Sequence, residues 1–234
     1  MLLLLAACHA HPPPAAAPIA SPPPSPPATA AAPASDDATV HHGFGDVARW
    51  VSVFDDPARD AWQRPVELVA ALGLTAGQSV ADIGAGTGYL EPHLARAVGP
   101  TGRVLAIDIV ASLVEHLTAR AAQAGTPQVQ ARLGRPDDPG LGAAEVDAVV
   151  ILDTWHHIDD RVAYATRLKA AMKPGGRLWI VDYDPAAPAD QGPPPAHRLA
   201  QAAVTAELAA AGWTQLPGPP SDLLPYQYVL AFGP

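Results

Sequence analysis

From Pro65 onward, short apolar runs alternate with stretches whose apolar residues recur at threes and fours. The runs fall at 80–83, 103–107, 129–133, 148–152, 177–183, 213–216 and 226–232. Their length and β-branched content predict buried strands. The helical spacing is carried by Val66, Val69 and Ala70, then Leu90, Leu94, Ala97 and Val98, then Leu113, Leu117 and Ala121. It returns at Val162, Ala165, Leu168 and Met172, and at Leu199, Val204 and Leu208. Punctuation agrees with this reading. Pro65 suits a first helical turn, Gly73 and Gly212 suit stops, and Pro174-Gly175-Gly176 ends a helix sharply. Ser112-Leu113-Val114-Glu115 has the form of a capping box. Glu91 and His93 read as solvated residues of their helix. Strands that alternate with helices in this way predict an α/β domain with a mostly parallel sheet.

The run 80–83 leads into three alternating glycines, Gly84, Gly86 and Gly88, and then into a helix. Glycine lets backbone approach a ligand closely and take positive φ, and a helix start offers unpaired N–H groups. In α/β sheets such a loop lies at the carboxyl end of the strand, where ligands bind. A tight turn with no ligand is the plainer alternative. The spacing is G-x-G-x-G, not the G-x-G-x-x-G of dinucleotide sites. Asp82 precedes the first glycine by two residues and could face a ligand's ammonium group. Asp108 closes the next run and suits the two hydroxyls of a ribose. A ribose joined to a cationic amino acid, without pyrophosphate, describes S-adenosylmethionine better than NAD. The loop after 148–152 carries Asp153, Thr154, Trp155, His156 and His157, and belongs on the same rim. Asp153, His156 and His157 are candidates for general base or metal ligands. A structural or pocket-lining role for these histidines is the favoured reading.

Asp82-Ile83-Gly84-Ala85-Gly86-Thr87-Gly88 and Asp108 resemble the first two motifs of the class I S-adenosylmethionine-dependent methyltransferases. Leu168-Lys169-Ala170-Ala171-Met172-Lys173-Pro174-Gly175-Gly176-Arg177 resembles the turn before that family's fifth strand. The resemblance covers residues 44 to 234. It implies a Rossmann-like sheet of seven mostly parallel strands, helices on both faces and the last strand antiparallel. It implies S-adenosylmethionine held by Asp82 at the methionine end and Asp108 at the ribose. Gly84, Ala85, Gly86 and Gly88 would supply backbone, and Ile109 would pack on the adenine. The loop 134–139 would offer Asp137 or Asp138 to the adenine amino group, with a proline-rich surface turn as the alternative. The segment before the first motif often covers the cofactor in this family. Phe44, Trp50, Phe54, Trp62 and Arg64 are therefore lid candidates, with a helix packed on the sheet as the other reading. The proline-rich loop 185–195 is expected to be flexible.

Composition narrows the partners. The chain has 234 residues and a formal charge of −9, with only two lysines, Lys169 and Lys173. That balance argues against nucleic acid, whose phosphates need Lys and Arg. A single cysteine, Cys8, excludes an internal disulfide framework and a cysteine zinc site. Ten of the 28 prolines precede residue 40, which divides the chain into a Pro/Ala-rich linker at 9–40 and a domain at 41–234. Residues 1–8 end in Leu5-Ala6-Ala7-Cys8, which resembles a lipobox. Read as a signal, it implies membrane attachment through lipidated Cys8 in the cell envelope. Read as a chance Leu/Ala run, it leaves the chain in the cytoplasm, where S-adenosylmethionine is made. The expected activity is methyl transfer from S-adenosylmethionine to a small-molecule acceptor. The alternatives are an NAD-dependent oxidoreductase and a non-catalytic cofactor-binding envelope protein.

Overall fold

The computed structural model describes residues 46–234. The lipobox-like residues 1–8, the Pro/Ala-rich linker 9–40 and Phe44 lie outside the described residues. Seven strands form one sheet: β1 (Ser79–Ile83), β2 (Arg103–Asp108), β3 (Val129–Leu133), β4 (Val146–Leu152), β5 (Met172–Tyr183), β6 (Thr214–Leu216) and β7 (Gln227–Gly233). Their order across the sheet is β3-β2-β1-β4-β5-β7-β6. The first five run parallel, and β7 is antiparallel to both β5 and β6. This is the seven-strand, mostly parallel architecture expected, with an antiparallel closing strand. The helices are α1 (Val47–Phe54), α2 (Asp60–Gln63), α3 (Pro65–Ala71), α4 (Glu91–Val98), α5 (Ala111–Ala124), α6 (Arg161–Ala171) and α7 (Gln201–Ala210).

Side chains alternate between the two faces of a strand, and the core divides accordingly. Ala81, Ile83, Leu105, Ile107, Val149 and Ile151 pack with Leu168 of α6 and Val204 and Leu208 of α7. Val80, Val104, Ala106, Val150 and Val181 pack with Leu68 of α3, Leu94 of α4 and Leu117 of α5. Strands buried on both faces need continuous apolar runs, which is what 148–152 supplies. Because Asp82 follows the parity of Val80, its carboxyl points to the α4 face.

Two local expectations give way to tertiary structure. The capping box at Ser112 does not form. The helix is capped two residues earlier, at Val110, and begins at Ala111; the N–H of Val110 donates to Asp108 Oδ1 at 2.9 Å. Helix α6 ends at Ala171, not at Pro174. Met172 already pairs with Val146, and the register shifts before Ala148 meets Arg177. Pro174-Gly175-Gly176 thus makes a bulge inside β5 rather than the helix stop itself.

Near the far edge of the sheet, Glu145 accepts two hydrogen bonds from Arg132, at 3.0 and 2.9 Å, and pairs with Arg103 at 3.3 Å. The Arg132 hydrogen bonds lead in holding the Glu145 carboxyl down at about 2. A depressed folded value stabilises above the unfolded pKa and is lost as pH falls through the folded one. Glu145→Gln should therefore cost about 2 kcal/mol at neutral pH. In urea titrations, the difference from wild type should shrink steadily as pH falls from about 4.5 to 2.

Candidate active site

The glycine loop is built by the end of β2. The N–H groups of Gly84 and Ala85 both donate to the carbonyl of Ile107, at 2.8 and 3.0 Å, and Gly86 N–H donates to Asp108 Oδ2 at 2.9 Å. Asp108 is thereby tied at one oxygen to the loop and at the other to the start of α5. Burial raises its pKa, against the opposing pull of the Val110, Gly86 and Ile109 N–H groups. Ile109, next in sequence, is 49% exposed on the rim. Gly84 has φ +76, and a Cβ there would lie 2.2 Å from Thr154 Oγ1. The loop after β4 thus packs directly on the loop after β1, which places both at one rim as expected.

Beneath the glycines lie two acids. Asp82 is 3% exposed and Glu91 5%. Glu91 is not solvated as its helical position suggested, because the first turn of α4 points this side chain under Gly88, 3.4 Å from where a Cβ would stand. The Asp82 and Glu91 charges act on each other. Neither Glu91 oxygen has a hydrogen-bond partner among the described residues. Burial, first, raises Asp82 to about 7; the Asp108 charge adds to this, while Glu91 and Arg59 oppose it. Burial and then the Asp82 charge hold Glu91 well above the usual range.

On the opposite face, His156 is 2% exposed and its Nδ1 contacts both Asp182 oxygens, at 2.9 and 3.0 Å. Asp182 also accepts from Tyr183 N–H at 2.8 Å. Burial disfavours charge on His156, but the Asp182 hydrogen bond and the Asp182 and Asp153 charges outweigh it, and its pKa rises. The His157 ring lies 4.1 Å from the His156 ring. Asp153 has φ +52, an unusual value for a non-glycine residue. Its Oδ1 accepts from Gln227 Nε2 at 2.5 Å and its Oδ2 lies 3.6 Å from Arg59. Burial leads in raising it to about 7, opposed by Arg59.

The segment before β1 covers this rim. The Phe54 ring, stacked on Trp50 at 5.0 Å, lies 3.7 Å from where a Gly86 Cβ would stand. Thr87 Oγ1 donates to Asp55 at 2.7 Å, and Arg120 pairs with the same carboxylate. Arg59 spans the opening. Its guanidinium stands over Tyr89 at 4.0 Å and bonds Phe54 carbonyl and Gln63. Gln63 in turn donates to Gln227 at 2.6 Å, which closes a ring of polar contacts with Asp153. Trp62 lies 6.0 Å from both Tyr183 and Tyr226, and Arg64 donates to the carbonyl of Leu223 at 2.9 Å. The loop after β5 is not loose. Buried Arg198 gathers the carbonyls of Ala187, Pro188, Gln191 and Pro193, and Gly192 sits against the Tyr183 ring.

The structure therefore brings together Asp82, Gly84, Ala85, Gly86, Gly88, Asp108 and Ile109, with Asp153, His156 and His157 on the adjoining loop. It does not gather Asp137 with them. That side chain is 66% exposed and pairs with Arg135 in a surface turn. Sequence reasoning missed Glu91, Gln227 and Arg59 as members of the site. Asp182 was legible, as an acid that ends an apolar run on the functional rim with Tyr183 and Asp184.

Residues 80–176 match the methyltransferase domain family. The structure resembles a SAM dependent methyltransferase from Aquifex aeolicus, with a TM-score of 0.74 at 26% identity, over 80% of this chain and 97% of that one. Nocamycin O-methyltransferase from Saccharothrix syringae is 34% identical over 104 residues, 44% of this chain and 37% of that protein. The ubiquinone/menaquinone biosynthesis C-methyltransferase UbiE of Pseudomonas putida is 32% identical over 118 residues, 47% of this chain and 44% of that protein. The chain spans less than half the length of the curated relatives it matches.

Gly84→Ala must displace Thr154 as well as strain the backbone, and should cost about 3 kcal/mol or more in chemical denaturation. Gly86→Ala, with no atom nearer than 3.7 Å, should cost about 1 kcal/mol from its φ alone. Equal costs would contradict the packing described.

Proposed function

We propose that this chain, which belongs to the class I S-adenosylmethionine-dependent methyltransferase family, methylates a small molecule. The observation that carries the cofactor's seat is the glycine loop pinned to Asp108. The loop keeps bulk away from the rim, while Asp82 and Asp108 present carboxyls under it. These residues fit the cofactor. Asp82 suits its ammonium, Asp108 its ribose hydroxyls, and exposed Ile109 its adenine face. Gly84, Ala85, Gly86 and Gly88 supply backbone. The adenine amino contact assigned by resemblance to Asp137 is not part of this reading, because its side chain is engaged at the surface.

When bound, S-adenosylmethionine supplies an already activated methyl group, so orienting the acceptor does much of the catalysis. The lid from Val47 to Gln63 excludes water. Trp62, Tyr183 and Tyr226 form an aromatic wall for the acceptor beside Asp153. Asp153 takes the acceptor's proton on its carboxylate, since a base with a pKa near 7 is half ionised at neutral pH. His156 is a positioning residue. Its imidazole, locked on Asp182, fixes the loop that carries Asp153. The acidic chain and absence of a basic run support a small molecule over a nucleic acid.

The test is transfer of labelled methyl from S-adenosylmethionine to a fractionated cell extract. Label should enter the low-molecular-mass fraction. Asp153→Asn should lower that transfer about 100-fold or more while leaving cofactor binding intact. Label confined to macromolecules, or no transfer at all, would overturn the proposal.

A further inference from the structure

The amino-acid end of S-adenosylmethionine carries two opposite charges on one carbon, an ammonium and a carboxylate. Asp82 suits only the first. The carboxylate has to be seated near Asp82, Asp108 and Glu91, all buried acids. The glycine loop offers it little. The N–H groups of Gly84 and Ala85 go to the Ile107 carbonyl, that of Gly86 to Asp108, and that of Gly88 to the Ala85 carbonyl at 3.0 Å. The Thr87 hydroxyl donates to Asp55. An anion brought among buried carboxyls calls for a cation.

Arg59 is placed to supply it. Asp56 accepts from the Ala58 N–H at 2.9 Å and Pro57 opens the short turn 57–59. That turn sets the Arg59 guanidinium over the ring of Tyr89, the residue that follows the last glycine of the loop. The Tyr89 hydroxyl donates to Asp60 at 2.6 Å, which fixes the ring beneath. Nη1 donates to the Phe54 carbonyl at 3.1 Å, and Nε and Nη2 share Gln63 Oε1 at 3.4 and 3.1 Å. A guanidinium has five N–H groups, so two stay available. Asp153, at 3.6 Å, attracts the charge without accepting a hydrogen bond from it. The Arg59 side chain is only 12% exposed, so the fork is held in one place. The neighbouring arginines are turned elsewhere. Arg120 is held by Asp55 and the Thr87 carbonyl, Arg64 reaches the Leu223 carbonyl, and Arg198 is buried among the carbonyls after β5. The Arg59 charge also reaches Asp82.

We propose that Arg59 binds the cofactor's α-carboxylate, beside the ammonium held by Asp82. A planar fork matches a carboxylate in both charge and shape. This rests on the seat proposed above for the cofactor's amino-acid end. It makes the segment before β1 part of the cofactor site, because the cation that answers the carboxylate comes from there. It also separates binding from mere covering. A ligand that keeps the ammonium but lacks the carboxylate leaves Arg59 facing a like charge, so losing Arg59 cannot weaken that ligand through a lost contact.

The experiment is equilibrium titration of the full chain with two ligands, S-adenosylhomocysteine and its decarboxylated analogue, in which hydrogen replaces the carboxylate. Wild type should bind S-adenosylhomocysteine about 10- to 100-fold more tightly than the analogue, the range for hydrogen bonds to a charged group. Arg59→Gln should lose that preference, binding S-adenosylhomocysteine about 10- to 100-fold more weakly and the analogue no worse than wild type does. Arg59→Lys keeps the charge without the fork, and serves where the Gln variant does not fold. It too should weaken S-adenosylhomocysteine and spare the analogue. Equal weakening of both ligands in either variant would mean that Arg59 only holds the covering segment, and overturns the proposal. S-adenosylhomocysteine bound as tightly by Arg59→Gln as by wild type overturns it as well, and leaves the cofactor assignment standing. Wild type that binds neither ligand overturns both.

Discussion

The site depends on one junction, the three N–H groups of Gly84, Ala85 and Gly86 turned onto the end of β2. Two of them share the Ile107 carbonyl and the third takes Asp108 Oδ2. That junction decides where Asp108 can point, because its second oxygen is committed to Val110. It also sets the course of the chain after β4, because Gly84 leaves space only for Thr154. Three strand ends are thus closed against one another, the first two by backbone N–H groups of the loop and the third by the Thr154 side chain, and the side chains above them inherit fixed positions.

The sheet separates two acidic environments that serve different ends. Strand parity sends Asp82 to the face covered by α4, where it meets Glu91. Asp182 follows Leu178 and Ile180 to the other face, where it meets His156. On the first face burial and neighbouring carboxyl charges push the pKa values of Asp82 and Glu91 up. On the second, an imidazole answers the buried carboxylate. Between them at the rim, Asp153 is matched by Arg59 from the segment that closes over the site. The covering segment and the loop after β4 are therefore linked through a single guanidinium. Under the proposed function, an acceptor that displaces Arg59 must itself satisfy Asp153.

Much of this was legible in the sequence because it is written in short-range patterns. The seven strands follow from apolar runs, and the glycine loop with Asp82 and Asp108 follows from spacing. What the chain order could not reveal depends on distant partners. Glu91 looks solvated on α4 until Asp82 and Gly88 are placed above it. Gln227 and Gln63 are 164 residues apart and meet only when β7 inserts beside β5. The Ser112 box was a sound local signal, overridden by an Asp108 carboxylate already in place at the helix start. The loop 185–195 reads as loose from its prolines, yet one buried arginine collects four of its carbonyls.

The most direct test of the cradle is an equilibrium titration of the full chain with S-adenosylhomocysteine and, separately, with NAD, in wild type and Asp108→Ala. The sulfur nucleoside should bind and NAD should not. Loss of the Asp108 carboxylate should weaken the former about 10- to 100-fold, the range for hydrogen bonds to a charged group. Preference for NAD, or an Asp108→Ala protein that binds the sulfur nucleoside as tightly as wild type, would contradict the account.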